Sequence, residues 1–344
     1  MSLYKLITSY NYLLLIKYIQ LMQQEIQNMS QKDSGVITLA YGIPKYVEMA
    51  KTLARSLRLH SPNIPRAIVT DNQDDRELME LFDDIIPLRK EYGSNLRQKL
   101  HLDKYSPYEK TVYIDSDCIA VREINFFFEL LKDRNFSVPG ENLLKPGHKD
   151  SFIDVDFVLT HFGLEALPQF NGGLFYFNKN ETANLVFDTA RDILNDWKKL
   201  GFSEWRSDGP NDERIFAIAM TLHKETMFQD KGQMMCTPIG LKGHFDIDVF
   251  TGKSTFQKYD KVVSPAIVHF ACVWGEHPVY SREVLKLKNI SSGKENNIES
   301  GILSAIKYRF GYQIAFVRYL VYRVPKKPKY FISMAKRIWK KVFS

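Results

Sequence analysis

Short apolar runs alternate with longer amphipathic stretches between residues 36 and 114. Short apolar runs predict strands, and apolar residues that recur every three or four positions predict helices. The predicted strands lie at 36–40, 67–70, 85–88 and 111–114, and the predicted helices lie at 47–57, 77–82 and 96–105. This alternation is typical of an α/β fold with a mostly parallel sheet.

The pattern becomes less regular beyond residue 120. Helices are predicted at 126–131, 182–200 and 212–222, and strands at 173–177 and 267–270. Such a mixed α+β half is typical of the acceptor side of a nucleotide-using enzyme. In parallel sheets ligands bind outside the carboxyl ends of the strands. Tyr41, Asp71 and Asp115 follow predicted strands and are therefore candidate ligand contacts.

The composition is that of a globular protein, since 44% of the 344 residues are apolar and 25% are charged. This excludes a chain that is disordered throughout. The three cysteines, Cys118, Cys236 and Cys272, form no CxxC pair and are odd in number. A disulfide framework is therefore not expected, and we expect a reducing, cytoplasmic compartment.

The positive charge of the protein lies in its last segment. Residues 301–344 contain eleven Lys and Arg residues and no Asp or Glu. Because the whole chain carries +7, residues 1–300 carry a net charge of −4. A slightly acidic body is a poor nucleic-acid binder, so nucleic acid is not an expected partner.

The tail also has an amphipathic pattern. Apolar residues recur at helical spacing between 331 and 342, and cations fill the other side. A basic helix of this kind binds anionic lipid, and the alternative is a helix packed on the body. The sequence contains no run of about 20 apolar residues, and a secretory signal is not expected. We expect an N-terminal amphipathic helix and linker at 1–34, an α/β domain at 35–290 and the basic tail at 301–344, with the protein on the inner face of a membrane.

The triplet Asp-x-Asp occurs three times, at 115–117, 154–156 and 246–248. Only Asp115 and Asp117 follow a clear strand of the first α/β half, where two carboxylates can hold a hard divalent cation. The other two triplets are interpreted as exposed acids on strand faces. A cation at Asp115 and Asp117 is suited to a nucleotide diphosphate, whose leaving pyrophosphate develops charge. A phosphatase of the haloacid dehalogenase type is disfavoured, since its downstream acidic pair is missing.

Four further motifs surround this triplet in a recognisable order. The four motifs are RQKLHLDKY at 97–105, FNGGLF at 170–175, DGPNDE at 208–213 and HF at 269–270, and the triplet itself lies in TVYIDSD at 111–117. Together they resemble GT-A glycosyltransferases, most of all the retaining family 8 enzymes that include glycogenin and lipooligosaccharide galactosyltransferases. The resemblance covers about residues 36–280 and implies a GT-A fold, a Rossmann-like mostly parallel sheet with a mixed α+β acceptor half.

The resemblance also implies roles for residues near the donor. Asp115, Asp117 and His269 are expected to hold Mn²⁺ or Mg²⁺, with Asp115 also touching the ribose. A single His after a strand is otherwise a core or edge residue. Lys99 is expected beside the donor sugar and phosphate, and its alternative is a solvated helix lysine. The residues expected at the uracil base and ribose are Thr38, Tyr41, Tyr46 and Asp71.

The sugar and the acceptor are expected to face Asn171 and an acid near residue 212. Asp208, Asp212 and Glu213 each fit the position of the family's catalytic-site Asp. Any of the three is otherwise an acid at a helix N-terminus, where capping and the helix dipole favour carboxylates.

The segment after His269 departs from the family. Family 8 enzymes continue with Gly and Lys-Pro-Trp, whereas this chain has a late Gly275, then His277 and Pro278, and no Lys. His277 is expected to donate to the phosphates in its place. The alternative is a divergent GT-A branch with another donor or stereochemistry.

The predicted activity is therefore transfer of a hexose from a nucleotide diphosphate sugar, UDP-linked and with retention, to a surface glycan or lipid-linked acceptor. Two alternatives remain open. A sugar nucleotidyltransferase has a similar sheet but needs a Gly-rich loop after the first strand, where this chain has Gly42 alone. The second alternative is a non-catalytic sugar-binding scaffold on a degenerate GT-A fold.

Overall fold

The computed structural model of the protein describes residues 33–205 and 209–291. The predicted N-terminal helix, the basic tail at 301–344 and Asp208 lie outside the described residues. No helix in the described ranges is both long enough and apolar enough to cross a bilayer.

The described strands share one chain-order numbering. They are β1 (Ser34–Leu39), β2 (Arg66–Thr70), β3 (Asp84–Pro87), β4 (Lys110–Ile114), β5 (Cys118–Ala120), β6 (Phe136–Ser137), β7 (Pro139–Leu144), β8 (Leu167–Phe170), β9 (Leu174–Asn178), β10 (Phe228–Gln229), β11 (Met235–Cys236), β12 (Leu241–Lys242), β13 (Phe256–Lys258), β14 (Lys261–Val263) and β15 (Ile267–His269).

The described helices are numbered in the same way. They are α1 (Pro44–His60), α2 (Arg76–Leu81), α3 (Leu102–Tyr105), α4 (Asn125–Leu131), α5 (Val155–Phe162), α6 (Glu181–Asp196), α7 (Asp212–Leu222) and α8 (Pro278–Ser291). Short 3₁₀ helices cover Lys90–Tyr92, Asn95–His101 and Cys272–Glu276.

The described residues form two compact units. The first contains 33–47, Ser61–Asp115 and Asn125–Asp230, without 206–208, and the second contains Glu48–His60, Ser116–Ile124 and 231–291. The predicted domain at 35–290 spans both units. Asp115 is the last residue of one segment of the first unit, and Asp117 belongs to the second.

A six-stranded sheet is the centre of the first unit. Its order is β3-β2-β1-β4-β9-β6. Strands β3, β2, β1 and β4 run parallel to one another, and β9 is antiparallel to both β4 and β6. The register places Val36 opposite Arg66 on one side and Val112 on the other. The predicted α/β fold with a mostly parallel sheet is confirmed.

Aromatic packing holds α6 and α7 on this sheet. Phe187 of α6 meets Phe177 of β9 edge to face, with ring centroids 5.0 Å apart. Phe216 of α7 stacks on Phe136 of β6 at 5.4 Å. Such pairs add about 0.5–1.5 kcal/mol beyond their burial. The N-terminus of α7 is thereby fixed beside the loop that precedes β9.

Two small sheets form the second unit, in the orders β11-β15-β5 and β12-β13-β14. Strand β15 is parallel to β11 and antiparallel to β5. The core of this unit includes Ile119, Val268, Phe270, Phe245 and Tyr280, all of them buried. The predicted strand at 267–270 is thus confirmed as β15.

The helix predicted at 96–105 is divided. Its first part, Asn95–His101, is a 3₁₀ helix, and α3 follows it. The buried Gln98 amide explains the tighter winding, since its Nε2 donates to the Arg89 and Gly93 carbonyls at 2.8 and 2.6 Å. This tertiary contact overrides the α-helical pattern of the segment.

The interpretation of the other two Asp-x-Asp triplets as strand-face acids is wrong. Asp154 is the N-cap of α5, where its Oδ1 accepts the Phe157 N–H at 3.1 Å. Asp246 and Asp248 lie outside the named strands and form ion pairs with Arg282 and Lys286 at 2.7 and 3.0 Å. These acids have local structural roles.

Candidate functional site

The carboxyl end of β4 carries two polar side chains on one face. Tyr113 and Asp115 are two residues apart, so a strand places them on the same side. The Tyr113 hydroxyl donates to Asp115 Oδ1. The Asp115 N–H donates to the Gly173 carbonyl at 2.9 Å, since β9 runs antiparallel beside β4. The turn before β9 therefore lies next to Asp115.

Lys99 is a buried lysine at this end of the sheet, with 8% of its surface exposed. Its Nζ lies 2.9 Å from Asp115 Oδ1 and 3.2 Å from Asp212 Oδ2. It also donates to the Gly172 carbonyl at 3.2 Å. The alternative of a solvated helix lysine is therefore wrong, and the ammonium instead links three segments of the first unit.

Helix α7 presents its first two residues to the same place. Asn211 is the N-cap, and its Oδ1 accepts the Arg214 N–H at 3.2 Å. Asp212 is therefore not the capping residue, and its buried carboxylate pairs with Lys99. Glu213 Oε1 accepts the Gly172 N–H at 2.8 Å.

Gly172 lies close to the side chains of Asp212 and Glu213. A Cβ at this position would lie 3.1 Å from both Asp212 Oδ2 and Glu213 Cγ. Few real Cβ atoms approach other atoms so closely, so any side chain here displaces one of the carboxylates. Glycine at the centre of the Asn171-Gly172-Gly173 turn therefore lets α7 approach without displacing these two side chains.

Opposing effects act on the pKa of Lys99 and Glu213. Burial alone lowers the pKa of Lys99, but Asp115 and Asp212 outweigh burial and raise the pKa above its ordinary value. Burial, with the negative charge of Asp212, raises the pKa of Glu213 to about 7. Lys99 is therefore a cation at neutral pH, and Glu213 exchanges its proton near neutrality.

A buried ion pair fixes the start of α7. Arg214 Nε and Nη2 lie 3.1 and 2.8 Å from Asp150 Oδ2, and both side chains are almost fully buried. The Arg214 guanidinium also lies over the Phe152 ring, 5.4 Å from its centroid. The position of Glu213, the preceding residue, is thereby constrained.

In the second unit Asp117 lies beside His269. Asp117 Oδ1 is 2.9 Å from His269 Nε2, and the Asp117 carbonyl accepts the Phe270 N–H at 2.9 Å. Together with the Cys118 thiol, these residues offer three ligand atoms that all lie within 4.8 Å of one another. Two ligands at about 2.1 Å from one metal ion are about 3 Å apart, which the Asp117–His269 pair matches. The residues present therefore fit a divalent cation.

Tyr280 lies behind this group. Burial, with the negative charge of Asp117, raises the pKa of the Tyr280 phenol. The phenol therefore keeps its proton at neutral pH, so Tyr280 adds no negative charge next to Asp117.

The residues predicted to line the uracil pocket belong to the first unit. Thr38 is fully buried in β1, and its Oγ1 has no hydrogen-bond partner among the described residues. Tyr41 packs partly buried against the core of this unit, and Tyr46 of α1 is 42% exposed. Asp71 Oδ2 accepts the Gly42 N–H at 3.0 Å. Their contact with a nucleotide stays a prediction.

Two predicted contacts use part of their hydrogen-bonding capacity locally. Asn171 Oδ1 accepts the Gly173 N–H at 3.0 Å. His277 Nδ1 accepts the Val279 N–H at 3.2 Å, and the ring packs against Phe245 and Trp274. The phosphate role of His277 stays a prediction.

The sequence interpretation missed four residues of these sites: Tyr113, Gly172, Arg214 and Cys118. The two-residue spacing to Asp115 is a signal for Tyr113. Cys118 directly follows Asp117 and was considered only for disulfide and CxxC patterns. Gly172 and Arg214 depend on how close α7 comes to the sheet, which no local pattern shows.

No family model and no curated protein matches the sequence. Solved structures do match. The galactosyltransferase LgtC in complex with donor and acceptor sugar analogs is 12% identical with a TM-score of 0.48, over 77% of this chain and 98% of that chain. The apo bifunctional glycosyltransferase WbbM is 11% identical with a TM-score of 0.48, over 74% of this chain and 49% of that one. Mouse xyloside xylosyltransferase 1 is 13% identical with a TM-score of 0.40, over 70% and 98%.

These structures are glycosyltransferases, the class of enzyme that the sequence motifs resemble. Their identity to this chain is low, so its activity has to be inferred from its own residues.

Proposed function

We propose that this protein is a metal-dependent glycosyltransferase that moves a hexose from a UDP-sugar to a glycan or lipid-linked acceptor. The observation that carries the proposal is the contact of Asp117 with His269, 2.9 Å apart, in the triplet that directly follows β4. A carboxylate and an imidazole at this distance can act together as ligands of one divalent cation. When bound, the cation neutralises charge on the departing diphosphate.

The residues of the first unit support the same reaction. Lys99 is a permanent cation held by Asp115 and Asp212, and such a group can also attract a phosphate oxygen. Asp212 is a buried carboxylate whose charge is partly compensated by Lys99, so it is suited to stabilise positive charge at an anomeric carbon. Retention of configuration is the stereochemistry that the family resemblance implies.

The metal is expected to be Mn²⁺ or Mg²⁺, with Asp117 and His269 as ligands. Asp115 stays a predicted ligand, and its carboxylate accepts hydrogen bonds from Tyr113 and Lys99 within the first unit. The uracil pocket is expected at Thr38 and Tyr46, with Tyr41 and Asp71 as further base or ribose contacts. Parallel sheets bind nucleotides at the carboxyl ends of their strands, and these residues lie in or after β1 and β2.

The basic tail supports a lipid-linked acceptor. Each cation near an anionic surface contributes about 1 kcal/mol to binding, and these contributions fall with salt. We expect full-length protein to bind anionic vesicles in a salt-sensitive way and to act at the inner face of a membrane. A chain ending at Tyr322 is expected to lose vesicle binding and to keep hydrolysis of the donor. Salt-insensitive binding, or equal binding by the shortened chain, contradicts this role.

Release of UDP from a panel of UDP-sugars tests the activity. Purified full-length protein is assayed with Mn²⁺ and with a chelator, alongside Asp117→Asn and the control Asp156→Asn, an exposed acid of another Asp-x-Asp triplet. We expect the chelator and Asp117→Asn to lower turnover more than tenfold, a loss of about 1.4 kcal/mol of transition-state stabilisation. Asp156→Asn is expected to retain the turnover of the parent protein. Full turnover in Asp117→Asn contradicts the proposal.

The same assay separates the alternatives. A sugar nucleotidyltransferase forms pyrophosphate from a nucleoside triphosphate and a sugar phosphate, and a binding scaffold releases no UDP from any donor. The Gly42 N–H is bound by Asp71, and no Gly-rich loop follows β1. The glycosyltransferase is therefore favoured over the nucleotidyltransferase.

A further inference from the structure

The Cys118 thiol lies on the same sheet face as the His269 imidazole. Cys118 is directly opposite His269 in the antiparallel pair of β5 and β15. Side chains of directly opposite residues project to one face, with their Cβ atoms about 5 Å apart. The contact of these two side chains is therefore fixed by backbone pairing and does not depend on a loop.

Asp117 completes the group from the end of the same strand. Its carboxylate reaches His269 Nε2, and the oxygen, nitrogen and sulfur atoms all lie within 4.8 Å of one another. Cys118 and His269 are both buried, with 0% and 4% of their surfaces exposed. Buried donors lose little conformational entropy when they bind an ion.

We propose that Cys118 is a third protein ligand of this site and strengthens its preference for thiophilic divalent cations, Zn²⁺ and Co²⁺, which then compete there with the Mn²⁺ or Mg²⁺ expected for sugar transfer. The proposal shares Asp117 and His269 with the proposed glycosyltransferase, but it concerns metal binding and requires no sugar transfer. A carboxylate–imidazole pair already follows the general order in which affinity rises from Mn²⁺ toward Zn²⁺, and a thiolate ligand widens this difference because sulfur suits the softer ions.

The chemistry of the thiol gives the preference. The ligand form is the thiolate, so binding transfers the Cys118 proton to solvent and forms a metal–sulfur bond of about 2.3 Å. Sulfur ligands select the softer ions of the first transition series, and affinity rises from Mn²⁺ toward Zn²⁺ along that series. A proton released on binding also makes the affinity rise with pH.

A buried cysteine that only fills space is the competing explanation, since unligated Cys is among the most buried residue types. The second unit contains a matched control, because Cys236 of β11 is also buried and also lies beside β15, opposite Val268. Cys272, exposed in the same unit, is the remaining thiol.

Cobalt spectroscopy distinguishes these explanations without any enzyme assay. Full-length protein is titrated with Co²⁺, and the near-ultraviolet band of thiolate-to-cobalt charge transfer is recorded. We expect the band in the parent and in the Cys236→Ser and Cys272→Ser variants, and its loss in Cys118→Ser and Cys118→Ala. Melting temperatures without metal show whether each variant is folded.

Competition titrations give the second measurement. We expect Cys118→Ser to weaken Zn²⁺ binding at least about tenfold, while Mn²⁺ affinity changes less than about twofold. Even the loss of a group that only hydrogen-bonds to a metal ligand lowers metal affinity by about tenfold or more. A cobalt band that persists in folded Cys118→Ser, or that disappears in Cys236→Ser alone, overturns the proposal.

The outcomes also separate this proposal from the glycosyltransferase. A normal cobalt band with no UDP release from any donor leaves the metal ligand intact and rejects the activity. UDP release with Mn²⁺ and no thiolate band leaves the activity intact and rejects Cys118 as a ligand.

Discussion

Lys99 Nζ lies 3.2 Å from Asp212 Oδ2, and this ion pair joins the 3₁₀ helix Asn95–His101 to the first residue of α7. Both side chains are buried, with about a tenth or less of their surfaces exposed. A buried charge that loses its partner destabilises a fold far more than an exposed one does. The Lys99–Asp212 contact therefore stabilises the fold and also holds the Asp212 carboxylate at the candidate site.

Replacing Lys99 by Met removes the cation and leaves Asp115 and Asp212 without it. We expect a loss of about 3–5 kcal/mol of unfolding free energy at neutral pH, because buried carboxylates remain uncompensated. Denaturant unfolding measures the loss. Lys132→Met is the control, since Lys132 is 56% exposed, its partner Glu129 is 79% exposed, and such surface pairs contribute less than about 1 kcal/mol. Equal losses in the two variants contradict the assigned role of Lys99.

Glu213 is expected to make stability depend on pH. Burial and the negative charge of Asp212 raise its pKa from the ordinary 4.5 to about 7, although the Gly172 N–H, Arg214 and Lys99 each act to lower it. The carboxyl group keeps its lower, ordinary pKa in the unfolded chain, so the unfolded chain loses the proton at lower pH than the folded protein does. The protonated group stabilises the fold fully below the unfolded pKa, and this stabilisation is lost as pH rises through about 7. The change reaches about 3 kcal/mol.

Glu213→Gln keeps an acceptor for the Gly172 N–H and has no charge to lose. We therefore expect the variant to be more stable than the parent at pH 8 and similar at pH 5, as measured by urea unfolding at both values. Glu129→Gln, at a side chain 79% exposed, is the control. If the unfolding free energies of the parent and Glu213→Gln change equally between pH 5 and pH 8, the pKa of Glu213 is not raised.

The elements of the first sheet were predictable because local pattern decides them. Strands β1, β2 and β4 are apolar runs bounded by turn or charged residues, and each lies within one or two residues of its predicted range. Asp115 and Asp117 were predicted as site acids from the same kind of pattern, because they follow such a strand. Their role as metal ligands stays a prediction.

Contacts between distant segments were not predictable from the sequence. The approach of Lys99 to Asp212 depends on how α6 and α7 pack on the sheet, and Gln98 winds the Lys99 segment into a 3₁₀ helix through carbonyls of a preceding loop. Cys118 required the register between β5 and β15. Each of these follows from tertiary packing, which outweighs local preference.

Gly172→Ala is expected to impair the site more than the fold. The added Cβ would lie 3.1 Å from Asp212 Oδ2 and from Glu213 Cγ, so the carboxylates shift by a few tenths of an ångström. Displacements of this order at a reacting centre lower turnover strongly, and we expect at least about a tenfold loss of kcat for UDP release. Kinetics and melting temperature are measured together.

Gly163→Ala is the matched control for that variant. Gly163 ends α5 with a φ of +64° and has no atom within 4 Å of an added Cβ. Alanine there is expected to cost about 1 kcal/mol of stability through backbone strain and to leave kcat unchanged. A Gly172 variant that loses stability but not kcat shows that the two acids are structural.

Metal and nucleotide are expected to stabilise the protein together. A ligand that binds only the folded state adds about 2.7 kcal/mol at a hundredfold excess over its dissociation constant. UDP with Mn²⁺ should therefore raise the melting temperature, and UDP with a chelator should raise it much less, because Asp117 and His269 are proposed to hold the cation that neutralises the diphosphate. ADP with Mn²⁺ is the control for the base, since it supplies the same diphosphate without uracil. Equal shifts with UDP and ADP contradict a uracil pocket at Thr38 and Tyr46, and an unchanged UDP shift in the chelator contradicts the role of the metal.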